Sequence, residues 1–200
     1  MPGHQRNACM KKQLLTFCLS LLSLPLAAQQ FTLPAGYESQ QQKAVAIASA
    51  DFNGDGKSDF AFAVPSSQQV TLLLAGPNGS YQAVALAIPG ISSLDSITDL
   101  VAADIDGNGR IDLVVGTTNG TVVFLQNNGS LEYKSTIPGS VQAFSVEDQN
   151  HDTHLDLTLL SPTGALTVAL GNGDGTFAAP FAVTSDALAS SVNGRARGKE

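Results

Sequence analysis

Three copies of one acidic nonapeptide limit what this chain can fold into. They are Asp51-Phe-Asn53-Gly-Asp55-Gly56-Lys-Ser-Asp59, Asp104-Ile-Asp106-Gly-Asn108-Gly109-Arg-Ile-Asp112 and Asp148-Gln-Asn150-His-Asp152-Thr153-His-Leu-Asp156. Each sets an oxygen-bearing side chain at positions 1, 3, 5 and 9, and an apolar run follows at once. Hard cations take several oxygen ligands on a short, sharply turned backbone. One copy would say little. Three copies, spaced 53 and 44 residues apart, define a structural repeat with a candidate cation loop in every unit.

The rest of each unit reads as strand. Extended segments precede the loops at 44–50, 100–103 and 141–146, and others follow at 60–64, 113–116 and 157–160. A third set lies at 70–74, 121–125 and 165–170, and a fourth at 81–88, 131–137 and 177–183. Val, Ile, Phe and Thr dominate these runs, as suits a pleated surface. Asn78-Gly79, Asn128-Gly129 and Asp174-Gly175 separate the third and fourth segments. Such pairs favour hairpins, because both central residues of the tight turn need positive φ. Four strands at this period predict an all-β fold of propeller-type blades, each of four antiparallel strands. About three blades are present, over 44–90, 91–139 and 140–186, so the array is a partial propeller or one completed by association of copies. A β-sandwich is the alternative arrangement of the same strands.

Residues 1–28 carry the marks of an export signal. Lys11 and Lys12 precede a mostly apolar stretch from Leu14 to Leu26, and the small residues Ala27 and Ala28 lead into polar sequence. The stretch is short for a membrane span. Both cysteines, Cys9 and Cys18, lie inside it, so disulfides, thiolate zinc sites and cysteine nucleophiles are not expected in the processed chain. Processing would leave seven basic against 17 acidic residues, a net charge of −10, with nine of the acids in the three loops. No basic stripe offers itself to a phosphate backbone, and the absence of Trp argues against base stacking, so nucleic acid is not an expected partner. A lead-in over 29–43 and a tail over 187–200 flank the repeats.

The run Ala50-Asp-Phe-Asn-Gly-Asp-Gly-Lys-Ser-Asp-Phe60, with Leu170-Gly-Asn-Gly-Asp-Gly-Thr-Phe177 closing a later unit, resembles the FG-GAP/VCBS repeat. The resemblance covers roughly 44–183. It implies a secreted or surface-exposed β-propeller that binds calcium in its blade loops and serves adhesion, carbohydrate binding or scaffolding. Some such proteins are fused to enzymes.

In the first loop the expected ligands are the side-chain oxygens of Asp51, Asn53, Asp55 and Asp59, with the carbonyl of Lys57. The second maps to Asp104, Asp106, Asn108 and Asp112 with the Arg110 carbonyl, and the third to Asp148, Asn150, Asp152 and Asp156 with the His154 carbonyl. All are hard oxygens, which selects Ca2+ over zinc, while magnesium prefers to retain its waters. Gly56 and Gly109 suit the sharp turn, whereas Thr153 is β-branched and costly at positive φ. The third site is therefore expected to be weakest.

An EF-hand-type or dockerin-type loop shares the opening residues but needs an acid at position 12, which here is Phe62, Val115 or Leu159. No nucleophile elbow or phosphate-binding loop is present, and His151 and His154 read as exposed loop residues rather than a catalytic pair. Asn78, Asn119 and Asn128 head glycan-acceptor triplets but sit where hairpin turns are expected anyway. The expected function is a secreted, non-catalytic binding or adhesion module. Its partner would be an extracellular glycan or a surface protein, with no membrane span after signal removal. The alternative is an accessory fragment of a larger secreted carbohydrate-active enzyme.

Overall fold

The computed structural model describes residues 46–63, 68–92 and 95–183, all within the unit Thr32–Glu200. The expected signal, lead-in and tail lie outside the described residues, as do Val64 and positions 44 and 45. Twelve strands form three antiparallel meanders, each in sequence order. Blade 1 holds β1 (Ala46–Ala50), β2 (Asp59–Ala63), β3 (Gln69–Ala75) and β4 (Tyr81–Ala87). Blade 2 holds β5 (Ile97–Ala103), β6 (Asp112–Thr117), β7 (Gly120–Asn127) and β8 (Ser130–Pro138). Blade 3 holds β9 (Ala143–Glu147), β10 (Asp156–Leu160), β11 (Leu166–Ala169) and β12 (Phe181–Ala182). The described residues are thus all-β with four-stranded blades, as the repeat predicted. No helix among them is long and apolar enough to cross a membrane.

Local chemistry sets the connections. Each acidic loop joins the first two strands of its blade. Asn128-Gly129 has positive φ at both residues and joins the paired Asn127 and Ser130, as a tight hairpin demands. Asn78-Gly79 has the same φ signs within a 3-10 turn, Pro77–Gly79, in a five-residue connection between Ala75 and Tyr81. Blade 3 departs from the expected strand over 177–183. Only the bridge between Gly171 and Phe177 and the two residues of β12 pair. Pro180 lies between them and has no amide to give the ladder, so the strand is interrupted there.

Strand alternation builds two cores. Blade 2 presents Leu113, Val115, Val122 and Phe124 on one face, packed with Ala61, Ala63, Val70 and Leu72 of blade 1. Its other face carries Val114 and Val123, packed with Phe144, Leu157, Leu159 and Ala169 of blade 3. Every residue of β6 is buried, which is why that strand reads as a continuous apolar run. Gly116 has a steric reason: a Cβ there would stand 2.9 Å from the Phe144 ring.

Loop position 2 locks the stacking. Phe52 is 1% exposed in the first core and Ile105 is 3% exposed in the second. Burying such a side chain stabilises by about 1.5–3 kcal/mol. The equivalent residue of blade 3 is the exposed Gln149. The outer face of that blade is polar elsewhere too, with Ser145 and Glu147 exposed and Thr158 half-buried. The outer face of blade 1 instead keeps Ile47, 67% exposed, and Phe60, whose ring tilts against Tyr81 at 5.8 Å.

Candidate metal centres

The three loops fold by one hydrogen-bond scheme. Position 1 accepts amides from positions 5 and 6. Asp51 takes those of Asp55 (3.1 Å) and Gly56 (2.7 Å). Asp104 takes Asn108 (3.0 Å) and Gly109 (2.8 Å), and Asp148 takes Asp152 (3.2 Å) and Thr153 (3.0 Å). Position 3 accepts the position-5 amide through Asn53, Asp106 and Asn150. Position 5 accepts the position-7 amide through Asp55, Asn108 and Asp152. Side-chain oxygens are thereby drawn over a tight ring of backbone, the local consequence of Asp and Asn bonding amides two to five residues onward.

Position 9 has a second duty that the motif alone does not reveal. Asp59, Asp112 and Asp156 are all fully buried. One oxygen of each accepts the position-2 amide, from Phe52 (2.9 Å), Ile105 (2.8 Å) or Gln149 (2.9 Å). The other accepts an amide at the end of the third strand, from Ala75 (2.7 Å), Gln126 (2.7 Å) or Gly171 (2.8 Å). Each aspartate therefore staples its loop to the third strand with two charge-assisted bonds. A carboxylate oxygen that accepts one amide keeps a lone pair for a cation.

The loops differ in how much internal counter-charge they hold. In loop 2, Asp104, Asp106 and Asp112 each offer an oxygen, and these lie within 4.8 Å of one another. The Arg110 guanidinium turns away and donates to the Gln126 carbonyl at 3.0 Å. In loop 1, Lys57 bonds Asp55 at 2.8 Å, and this bond is the main reason the Asp55 pKa lies below its ordinary value. In loop 3, the Asn150 amide bonds Asp152 at 2.8 Å. Asp152 is also held below the ordinary range, mainly by the His154 amide. Asp112 is pushed the other way. Burial raises its pKa, the amides of Gln126 and Ile105 oppose the rise, and the charges of Asp106 and Asp104 add to it.

Every residue expected as a ligand lies in one of these loops. The donor set is all oxygen, several carboxylates converge, and the most crowded carboxylate is the one least willing to ionise alone. That chemistry fits a hard divalent cation. Asp104, Asp106, Asn108 and Asp112 would hold it in loop 2, and it would supply the positive charge that this group lacks.

One participant was missed in the sequence. Gln126, 2% exposed, donates its side-chain amide to the Asp51 carbonyl at 3.3 Å, so blade 2 reaches into loop 1. A glutamine directly after the apolar run Val122-Val-Phe-Leu125 was the available signal.

Residues 51–115 match the FG-GAP-like repeat. No curated protein matches the sequence. Among solved structures, the chain is similar to one reported for the recognition of non-reducing terminal N-acetylglucosamine by an Agrocybe aegerita lectin. Identity is 19% and the TM-score 0.48, over 72% of this chain and 39% of that one. It is also similar to a chain in the crystal structure of BBS1N in complex with ARL6DN, soaked with lead. There identity is 18% and the TM-score 0.46, over 68% of this chain and 43% of that one. The chain thus spans less than half the length of either. The FG-GAP-like match runs from the first acidic loop into β6, so what the chain is similar to over residues 51–115 is an FG-GAP-like repeat.

Proposed function

We propose that the chain is an exported, non-catalytic binding or adhesion module whose three acidic loops are structural Ca2+ sites. The observation that carries the calcium reading is the convergence of the Asp104, Asp106 and Asp112 carboxylates within 4.8 Å, with no basic group among the bonds that hold them. Calcium would relieve that repulsion and fix the connection between the first two strands of each blade. Binding partners would be glycans or surface proteins. Support comes from two clefts at the blade junctions, on the end of the sheets opposite the acidic loops. One is lined by Pro89, Asn119, Tyr133 and Thr136, and the other by Val141, Ser161, Thr163 and Pro180. Tyr133 is 51% exposed, an aromatic surface available to a ligand. Association of copies would use the apolar outer face of blade 1, at Ile47 and Phe60.

The test is a thermal melt of the full chain in calcium and in chelator. Binding to the native state alone raises the midpoint by mass action. A clear rise supports the proposal, and a cooperative melt indifferent to calcium overturns the metal reading. Glycan-array binding then tests the module reading separately.

A further inference from the structure

We infer that Gln126 couples the first two acidic loops, so that the state of one sets the cation affinity of the other. The inference rests on the calcium reading above for its ligand, but not for its geometry. Gln126 touches both loops through three bonds. Its backbone amide donates to Asp112 at 2.7 Å, and its carbonyl accepts from the Arg110 side chain at 3.0 Å. Its side-chain amide crosses the blade junction to the carbonyl of Asp51 at 3.3 Å. Asp112 and Arg110 are positions 9 and 7 of loop 2, and Asp51 is position 1 of loop 1.

The junction is tight as well as bonded. A Cβ on Gly54 would lie 3.4 Å from the Gln126 amide nitrogen, and one on Gly129 would lie 3.2 Å from the Asn53 carbonyl. Loop 1 thus lies close against Gln126 and against the turn that follows β7. The residue choice is also unusual for packing alone. Gln126 is buried, and its side-chain oxygen has no hydrogen-bond partner. A buried unsatisfied amide oxygen costs stability that an aliphatic side chain would not.

The repeat supplies an internal control. The positions equivalent to Gln126 are Ala75 in blade 1 and Gly171 in blade 3, and both make the same backbone bond to their own position-9 aspartate. Neither has a side chain that could reach the preceding blade. Loop 3 is therefore outside the coupled pair.

A double-mutant cycle on the full chain tests this, with the Gly54 and Gly56 amides as reporters of loop 1 in NMR titrations with Ca2+. Asp106→Ala disables loop 2 at a half-buried acceptor. In the native background it should weaken loop 1 by about fivefold or more. In a Gln126→Met background the same change should leave loop 1 unaltered. Gln126→Ala, which copies Ala75, serves if the methionine variant does not fold. Loop-1 affinity indifferent to Asp106→Ala in the native background overturns the inference, and so does a weakening that survives loss of the glutamine. The same four proteins are compared in chelator by hydrogen exchange at Gly54 and Gly56. There Asp106→Ala should accelerate exchange only when Gln126 is present. A native chain that ignores calcium sinks the cation reading alone, and the exchange cycle still decides the coupling.

Discussion

Loops 2 and 3 reach the same fold from different residues. Loop 2 turns on Gly107 (φ 69°) and Gly109 (φ 83°), and loop 3 puts His151 (φ 62°) and Thr153 (φ 76°) in the same two places. The amide bonds to positions 1, 3, 5 and 9 are kept. Acceptor spacing therefore dictates the loop, and the glycines only make it less strained. A threonine at positive φ costs about 1–3 kcal/mol. Loop 2 has low strain and crowded charge; loop 3 has higher strain and its position-5 carboxylate already engaged by Asn150.

The largest effect should not distinguish the two. Asp112→Ala and Asp156→Ala each orphan two amides and should each cost about 3 kcal/mol or more, read by urea unfolding. A much smaller loss for Asp156 would break the parallel between the loops. A glycine swap should separate them. Thr153→Gly is expected to stabilise, and Gly109→Thr to destabilise, each by about 1 kcal/mol. In a calcium titration the wild-type chain should fill loop 3 last, and Thr153→Gly should narrow its gap to loop 2. Three equal sites would end the argument from strain.

The smallest effect is in pH. The folded pKa of Asp112 is raised above its ordinary 3.8, mainly by burial. Between those two values the folded state holds more protons than the unfolded one, so stability falls as pH rises through that window. Asp152 is lowered, first by the His154 amide, so its contribution is present above its ordinary pKa and is lost as pH falls. In chelator, Asp112→Asn should flatten the loss within that window. Asp152→Asn should flatten only the acid limb. Calcium should abolish the Asp112 effect.

The blades were legible because alternation and Asn-Gly turns are local signals. The β3, β6 and β7 segments fell where Val, Leu and Phe runs met their turns. The fourth strand of blade 3 was over-read because apolar content outweighed Pro180 in the pattern. The loop scaffold was legible because the acceptor spacing lies within nine residues. The stapling role of Asp59, Asp112 and Asp156 was not, since the amides they accept at the third strand lie 16, 14 and 15 residues away. Gln126 was harder still, as its partner Asp51 is 75 residues distant.

The polar outer face of blade 3 gives the array a direction. Blade stacking works like addition to a polymer: the joining face of each end must be apolar. Ser145, Glu147, Gln149 and Thr158 occupy the places where blade 2 uses Val101, Ala103, Ile105 and Val114 to hold its neighbour. That face lacks the apolar side chains that join blade 2 to blade 3. A chimera that docks another unit before blade 1 could use the existing surface of Ile47 and Phe60, whereas one built onto blade 3 would first have to repaint those four positions.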